Sequence, residues 1–351
     1  MEERTTVSSR KKIKCIVKLG GAAVTFKNEL EKINHHNLHV LSAQLRESMT
    51  QTSQPTENAI SLDWSRNSTN SDPPFDENAL ESNPLLRDAS LGFVIVHGAG
   101  SFGHFQASIS GVHKGGLNNP LVKAGFVATR ISVATLNHEI VRSLAQEGIP
   151  AVGVSPFSCG WSSNKVNIGV GDLSIVRNAV ESGFVPVVHG DAVLDESQGC
   201  NILSGDTISR YLAHHLNPQF VVFLTDVLGV YDRPPSDPNA RLLREIVVRK
   251  DGSLSTAAAG VETSVAGHDT TGGMATKIAE AVAIVKLGIP VFIVKVSIMC
   301  KFVSYIVVMI FYRLHLITLW QPLVANFKNL FQMIGLGLLS NWKFNLFVTC
   351  E

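Results

Sequence analysis

Six short, mostly apolar runs are spaced along the 351-residue chain, and each of the first five is followed by glycine, proline or a polar turn. They are Ile13 to Leu19, Leu91 to His97, Ala151 to Val154, Val185 to His189, Phe220 to Leu224 and Val291 to Lys295. Between them lie helical stretches at Asn28 to Glu47, Thr129 to Glu147, Asp172 to Ser182, Asp206 to Leu216 and Met274 to Leu287. A strand that is apolar throughout is covered on both faces, and strands that alternate with helices tend to pair in parallel. The pattern predicts an α/β fold with a mainly parallel central sheet. In the second helix Val133, Leu136, Ile140 and Leu144 share a face, and Gly148 and Pro150 end it. In the third, Ile175, Val176, Ala179 and Val180 are expected to point inward. Ligands of such sheets bind beyond the carboxyl ends of the strands, and the glycine-rich patches of this chain fall there.

Lysine and arginine total 30 against 29 acidic residues, a net charge of +1 with no basic stripe, which argues against a nucleic-acid partner. Cys15, Cys159, Cys200, Cys300 and Cys350 are odd in number and scattered. Neither a disulfide framework nor a zinc site is expected, and a reducing, cytoplasmic setting fits. Residues 1–12 form a polar tail without the apolar core of a secretory signal. Residues 51–90, rich in Ser, Asn, Asp, Thr and Pro, read as a mobile polar insertion pinned locally by Trp64 and Phe75. Residues 296–351 turn apolar and aromatic. Their uninterrupted stretch, Phe302 to Tyr312, is well short of the roughly 20 residues of a membrane span, so an atypical C-terminal segment is expected rather than a span.

Three patches carry the chemistry: Lys18-Leu19-Gly20-Gly21-Ala22, Gly98-Ala99-Gly100-Ser101-Phe102-Gly103-His104 and Thr271-Gly272-Gly273-Met274-Ala275-Thr276-Lys277. Glycines let backbone N–H groups approach phosphate oxygens. Helix N-termini add positive potential, and lysines add mobile charge. Together the patches suit a protein that handles two phosphorylated molecules at once, although each alone also reads as an ordinary turn. His104 can donate a hydrogen bond to a phosphate oxygen. Asp206, in Ser204-Gly205-Asp206-Thr207, is either a helix cap or, if Lys18 and Lys277 lie near, a carboxylate that holds both. Asp226 sits in a polar turn after a strand, suited to nucleotide contact. The Walker A pattern and the protein-kinase motifs are absent.

Taken in order, K-L-G-G, V-H-G-A-G-S-F-G-H, V-H-G-D, S-G-D, T-D-V-L-G-V-Y and T-G-G-M-A-T-K resemble the amino acid kinase superfamily, and within it the isopentenyl phosphate kinases. The likeness covers about Ile13 to Lys295 apart from the polar insertion, and the histidine closing G-S-F-G-H distinguishes it from relatives acting on carboxylates. The resemblance implies a three-layer αβα sandwich, a homodimer, and transfer from ATP with Mg²⁺ to isopentenyl phosphate, with dimethylallyl phosphate as a second acceptor. It implies an acceptor lobe over roughly 13–200 and a nucleotide lobe over 201–295. Gly20, Gly21 and Ala22 would line the ATP phosphates, with Gly100 facing them. Lys18 would contact the transferring group, and Lys27 falls where the family places its transition-state lysine. Ala99, His104 and Gly190 would hold the acceptor, Asp206 would orient the lysines, and Asp226, Gly273 and Lys277 would meet the nucleotide. No protein metal ligand is implied. The family closes with a short turn, a helix and a strand, whereas Val296-Ser297-Ile298-Met299-Cys300 stands here. Low solubility and weak or absent kinase activity are therefore expected of this form. Another small-molecule kinase of the superfamily, an inactive phosphate-binding form and a form tethered to membrane by Phe302 to Trp320 remain alternatives.

Overall fold

The computed structural model describes residues 12–50, 61–63, 77–87, 92–165, 167–233, 237–243, 245–249, 273–296 and 346–350. Its strands are β1 (Cys15–Leu19), β2 (Phe93–His97), β3 (Ala151–Val154), β4 (Ser162–Asn164), β5 (Asn167–Ile168), β6 (Val185–His189), β7 (Asp191–Asp195), β8 (Gly199–Leu203), β9 (Phe220–Thr225), β10 (Glu245–Val248), β11 (Val291–Lys295) and β12 (Leu346–Cys350). Its helices are α1 (Gly21–Val24), α2 (His35–Thr50), α3 (Glu77–Ser82), α4 (Pro84–Arg87), α5 (His104–Ser110), α6 (Pro120–Gln146), α7 (Ser174–Glu181), α8 (Gly205–Leu216) and α9 (Gly273–Val285).

The main sheet runs β10-β12-β11-β9-β1-β2-β6-β3. From β11 to β3 every pairing is parallel, and the six apolar runs of the sequence supply these six strands. Successive side chains of a strand point to opposite faces, so each run fills two cores. Ile16, Val94, Val96, Val221, Phe223, Val291 and Ile293 pack with Val176, Val180, Ile208, Leu212, Ile284 and Val285 of α7, α8 and α9. Val17, Leu19, Ile95, Val187, Val222 and Leu224 pack on the other side with Leu38, Leu41, Leu45, Leu136, Ile140 and Leu144 of α2 and α6. This is the expected three-layer αβα sandwich.

Several local expectations need correction. α6 starts at Pro120, nine residues before the predicted Thr129, because Asn119 caps it by accepting from the Leu121 N–H at 2.9 Å and Pro120 occupies its first position. The first long helix begins at His35 rather than Asn28. On α7, Val176 and Val180 are buried but Ile175 faces solvent. A second sheet, β5-β4-β7-β8, was not anticipated. Part of the polar insertion is ordered: α3 and α4 flank a buried Asn83 that donates to the Gly148 carbonyl at 3.0 Å, and Leu85 is buried beside it. Trp64, Phe75 and residues 297–345 lie outside the described residues. The chain returns at β12, which pairs antiparallel with β11 and parallel with β10. Among the described residues no helix is long and apolar enough to cross a membrane.

Candidate active site

Strands β9, β1, β2 and β6 lie side by side, and each adjacent pair is stitched once more past its end. Gly20 N–H donates to the Leu224 carbonyl at 2.8 Å, Gly98 N–H to Leu19 at 3.0 Å, and Gly190 N–H to His97 at 2.9 Å. Three motif glycines thus stand in a row on one edge of the sheet. The loops that follow touch directly. A Cβ on Gly21 would come within 2.4 Å of the Gly100 Cα, and Gly100 itself adopts a φ of +53°. Only glycine suits this pair, the first for closeness and the second for backbone angle. Thr25 ties the loops together: its hydroxyl donates to the Gly21 carbonyl at 2.9 Å and accepts from the Ser101 N–H at 3.2 Å.

Beneath the loops lies a buried cluster. Lys18, on central strand β1, brings its Nζ to 2.5 Å from Asp206 Oδ1, and Lys277 of α9 comes to 3.6 Å from the same oxygen. One carboxylate oxygen thus pairs with two ammonium groups. Burial pushes the Asp206 carboxyl up, but the two ammonium groups together outweigh it and hold it below the usual carboxylate range. Burial lowers Lys18 to about 8; Asp206 opposes that shift and Lys277 adds to it. Asp206 is not the helix cap. Ser204 caps α8 by accepting from the Thr207 N–H at 3.1 Å, which leaves Asp206 to the lysines.

On the far side of Gly98, amides converge near Gly190. A Cβ on Gly190 would stand 3.4 Å from the Gly205 nitrogen and 3.8 Å from that of Ala99. The Ala99 N–H meets no protein acceptor among the described residues, and Gly205 opens α8, where first-turn N–H groups are unpaired by geometry. His104 opens α5 just beyond, half-buried, after Gly103. Ala22 lies in the first turn of α1, and Gly273 opens α9, which carries Lys277 one turn later.

Two expected residues stand apart from this centre. Lys27 and Asp226 pair with each other at 3.0 Å on the exposed rim, between the loops after β1 and β9. The structure also shows residues that sequence reasoning missed. Glu280, one turn after Lys277, accepts from Thr207 Oγ1 at 3.2 Å and pairs with Arg210, clamping α9 to α8. Asn137 lies among the inward residues of α6, and that polar intrusion into an apolar stripe was the available signal. Thr25 carried no signal at all. Among the described residues no cluster of three histidine, cysteine or acidic side chains could hold a metal ion.

Known proteins share the sequence pattern and the fold. Residues 77–295 match the amino acid kinase family. The chain is 57% identical over 306 residues to isopentenyl phosphate kinase from Arabidopsis thaliana, spanning 85% of this chain and 91% of the relative. It is 34% identical to isopentenyl phosphate kinase from Methanothermobacter thermautotrophicus, over 62% of this chain and 82% of that one. A crystal structure of an isopentenyl phosphate kinase superposes with a TM-score of 0.60 at 26% identity, covering 83% of this chain and 96% of the other.

Proposed function

The chain belongs to the isopentenyl phosphate kinases of the amino acid kinase family, and we propose that it transfers the γ-phosphoryl group of ATP to isopentenyl phosphate, giving isopentenyl diphosphate and ADP. The observation that carries this reading is the direct contact of two glycine loops, Gly21 on Gly100, above one buried Lys18–Asp206–Lys277 cluster. An oxygen of the acceptor phosphate forms the new bond to γ-phosphorus while the bond to the ADP oxygen breaks. The acceptor is already an anion, so no general base is needed. The obstacle is repulsion between two anions, which amides, helix N-termini and ammonium groups offset.

In this reading Gly20, Gly21 and Ala22 offer amides to the nucleotide phosphates, with Gly100 beside them. Lys18 neutralises the group in transit, Lys277 and the start of α9 at Gly273 serve the nucleotide, and Asp206 keeps both amines aimed. Ala99, His104 and Gly190 border the acceptor phosphate. Lys27 reaches the transferring group only after leaving Asp226, which makes Asp226 its holder as well as a nucleotide contact. Mg²⁺ is expected to arrive on the nucleotide and offset its negative charge. Residues 13–200 would hold the acceptor and 201–295 the nucleotide. A homodimer is supported by the open edge of β3 and by Leu121, Val127 and Ile131 exposed along α6. Free thiols at Cys15, Cys159 and Cys200 suit a cytoplasmic setting.

The test is purified protein with ATP, Mg²⁺ and a panel of acceptors: isopentenyl phosphate, dimethylallyl phosphate, a nucleoside monophosphate, a phosphonate and glutamate. Turnover is expected with isopentenyl phosphate and, more slowly, with dimethylallyl phosphate. Preference for any of the other three would overturn the assignment.

A further inference from the structure

Two histidines that the reaction does not use lie under the acceptor loop. His97 ends β2 and His189 ends β6, directly paired in register, fully or almost fully buried, with ring centres 5.7 Å apart. Each is followed by a glycine whose carbonyl its own Nδ1 approaches at 3.0 Å. At His97 the tautomer can be assigned. Asn137 Nδ2 sits 3.1 Å from His97 Nε2 and 3.0 Å from the Val187 carbonyl. An amide nitrogen only donates, so Nε2 accepts and the proton resides on Nδ1. Nδ1–H therefore donates to the Gly98 carbonyl.

That carbonyl shares a peptide unit with the Ala99 N–H. A trans peptide is planar, and its C=O and N–H point in opposite directions. Holding the Gly98 oxygen toward the imidazole therefore turns the Ala99 N–H the other way, into the space beside Gly190. We propose that His97 is a positioning residue for the acceptor: through the Gly98 carbonyl it aims the Ala99 amide at the acceptor phosphate, and Asn137 keeps its ring in the donating tautomer. The inference rests on the acceptor site proposed above. Burial, with the neighbouring His189, lowers the His97 pKa to about 3, so the ring stays neutral at working pH. Asn137 is in turn locked by packing, since a Cβ on Gly153 would fall 2.3 Å from its Oδ1.

The contrast between His97→Asn and His97→Gln tests the role. The first keeps an N–H donor near the δ position and the second moves it to the ε position. Both are polar and smaller than the imidazole, so a general cost of filling the site falls on both. Binding of isopentenyl phosphate and, separately, of ADP is measured by calorimetry on the full chain. A charge-assisted hydrogen bond is at stake, so His97→Gln should weaken isopentenyl phosphate binding about tenfold to hundredfold, with His97→Asn within about threefold of wild type and ADP affinity shifted less than about twofold in both. Asn137→Leu, which frees the ring to flip, should move acceptor affinity the same way as His97→Gln and serves if that variant is unstable. Equal losses in the two His97 variants, or parallel losses for ADP and acceptor, would overturn the role. Wild-type protein that binds isopentenyl phosphate without phosphorylating it would refute the activity while leaving the binding contrast to judge His97. Wild-type protein that does not bind it would remove both.

Discussion

In the proposed reaction Lys18 works only while it is protonated, and it is buried enough for that to matter. Burial brings it to about 8 in the free protein, whereas an unfolded lysine titrates at about 10.4. Between those values the unfolded chain binds more protons than the folded one. Stability from this group therefore rises with pH through that window, is complete above it and is lost as pH falls through 8. Catalysis runs the opposite way. The kcat/KM for ATP should fall on an alkaline limb near 8, and the limb in kcat should lie higher, because bound phosphates favour the ammonium form. Coincident limbs, or none below pH 10 or so, would detach Lys18 from the phosphates. His104 carries the second residue-scale prediction. His104→Ala should reduce kcat/KM for isopentenyl phosphate about tenfold to hundredfold, the worth of a hydrogen bond to a charged group, with the KM for ATP little changed. Equal losses for both substrates would take His104 out of the acceptor site.

At the scale of elements, the site depends on where α9 lies against α8. Lys277 reaches Asp206 from a helix that Glu280, one turn on, ties to Thr207 and Arg210 on the same face of α8, beside the apolar packing of Ile284 and Val285 against Ile208 and Leu212. Glu280→Ala touches no substrate, yet it should raise the KM for ATP about tenfold through loss of that charged contact and leave the KM for isopentenyl phosphate near its wild-type value. Steady-state kinetics with each substrate varied separately decides it; unchanged KM for ATP would show that α9 holds its register without the clamp. The six parallel strands, α8 and the body of α6 were legible in the sequence because burial on two faces leaves a continuous apolar run and a helix leaves its 3.6-residue period. β7, β8 and α5 were not. β7 follows β6 after one residue, so the two merge in an apolar pattern, and α5 begins inside a glycine loop whose chemistry masks its helicity.

For the whole molecule, β12 is an unexpected element of the main sheet. The segment expected to be the weak end of the chain closes with a strand between β10 and β11. Ladder hydrogen bonds contribute about 0.5–1.5 kcal/mol each, so removing residues 346–351 should cost a few of these, lower the thermal midpoint, and speed amide exchange in β11 ahead of β1. An unchanged midpoint and unchanged exchange in β11 would mean that β12 adds nothing to the sheet. The sequence by itself determined the layered α/β class, the order of the glycine- and lysine-rich motifs and their placement at strand ends, because these follow from local periodicity and from what glycine and lysine can do. Only the tertiary structure decided that Lys18 and Lys277 share one carboxylate oxygen, that Lys27 rests on Asp226, and that Asn137 and His97 orient a loop from below. These are contacts between residues up to 199 positions apart, in the pair Lys27 and Asp226. No local pattern encodes them, since each partner is chosen by the packing of elements rather than by its neighbours in the chain.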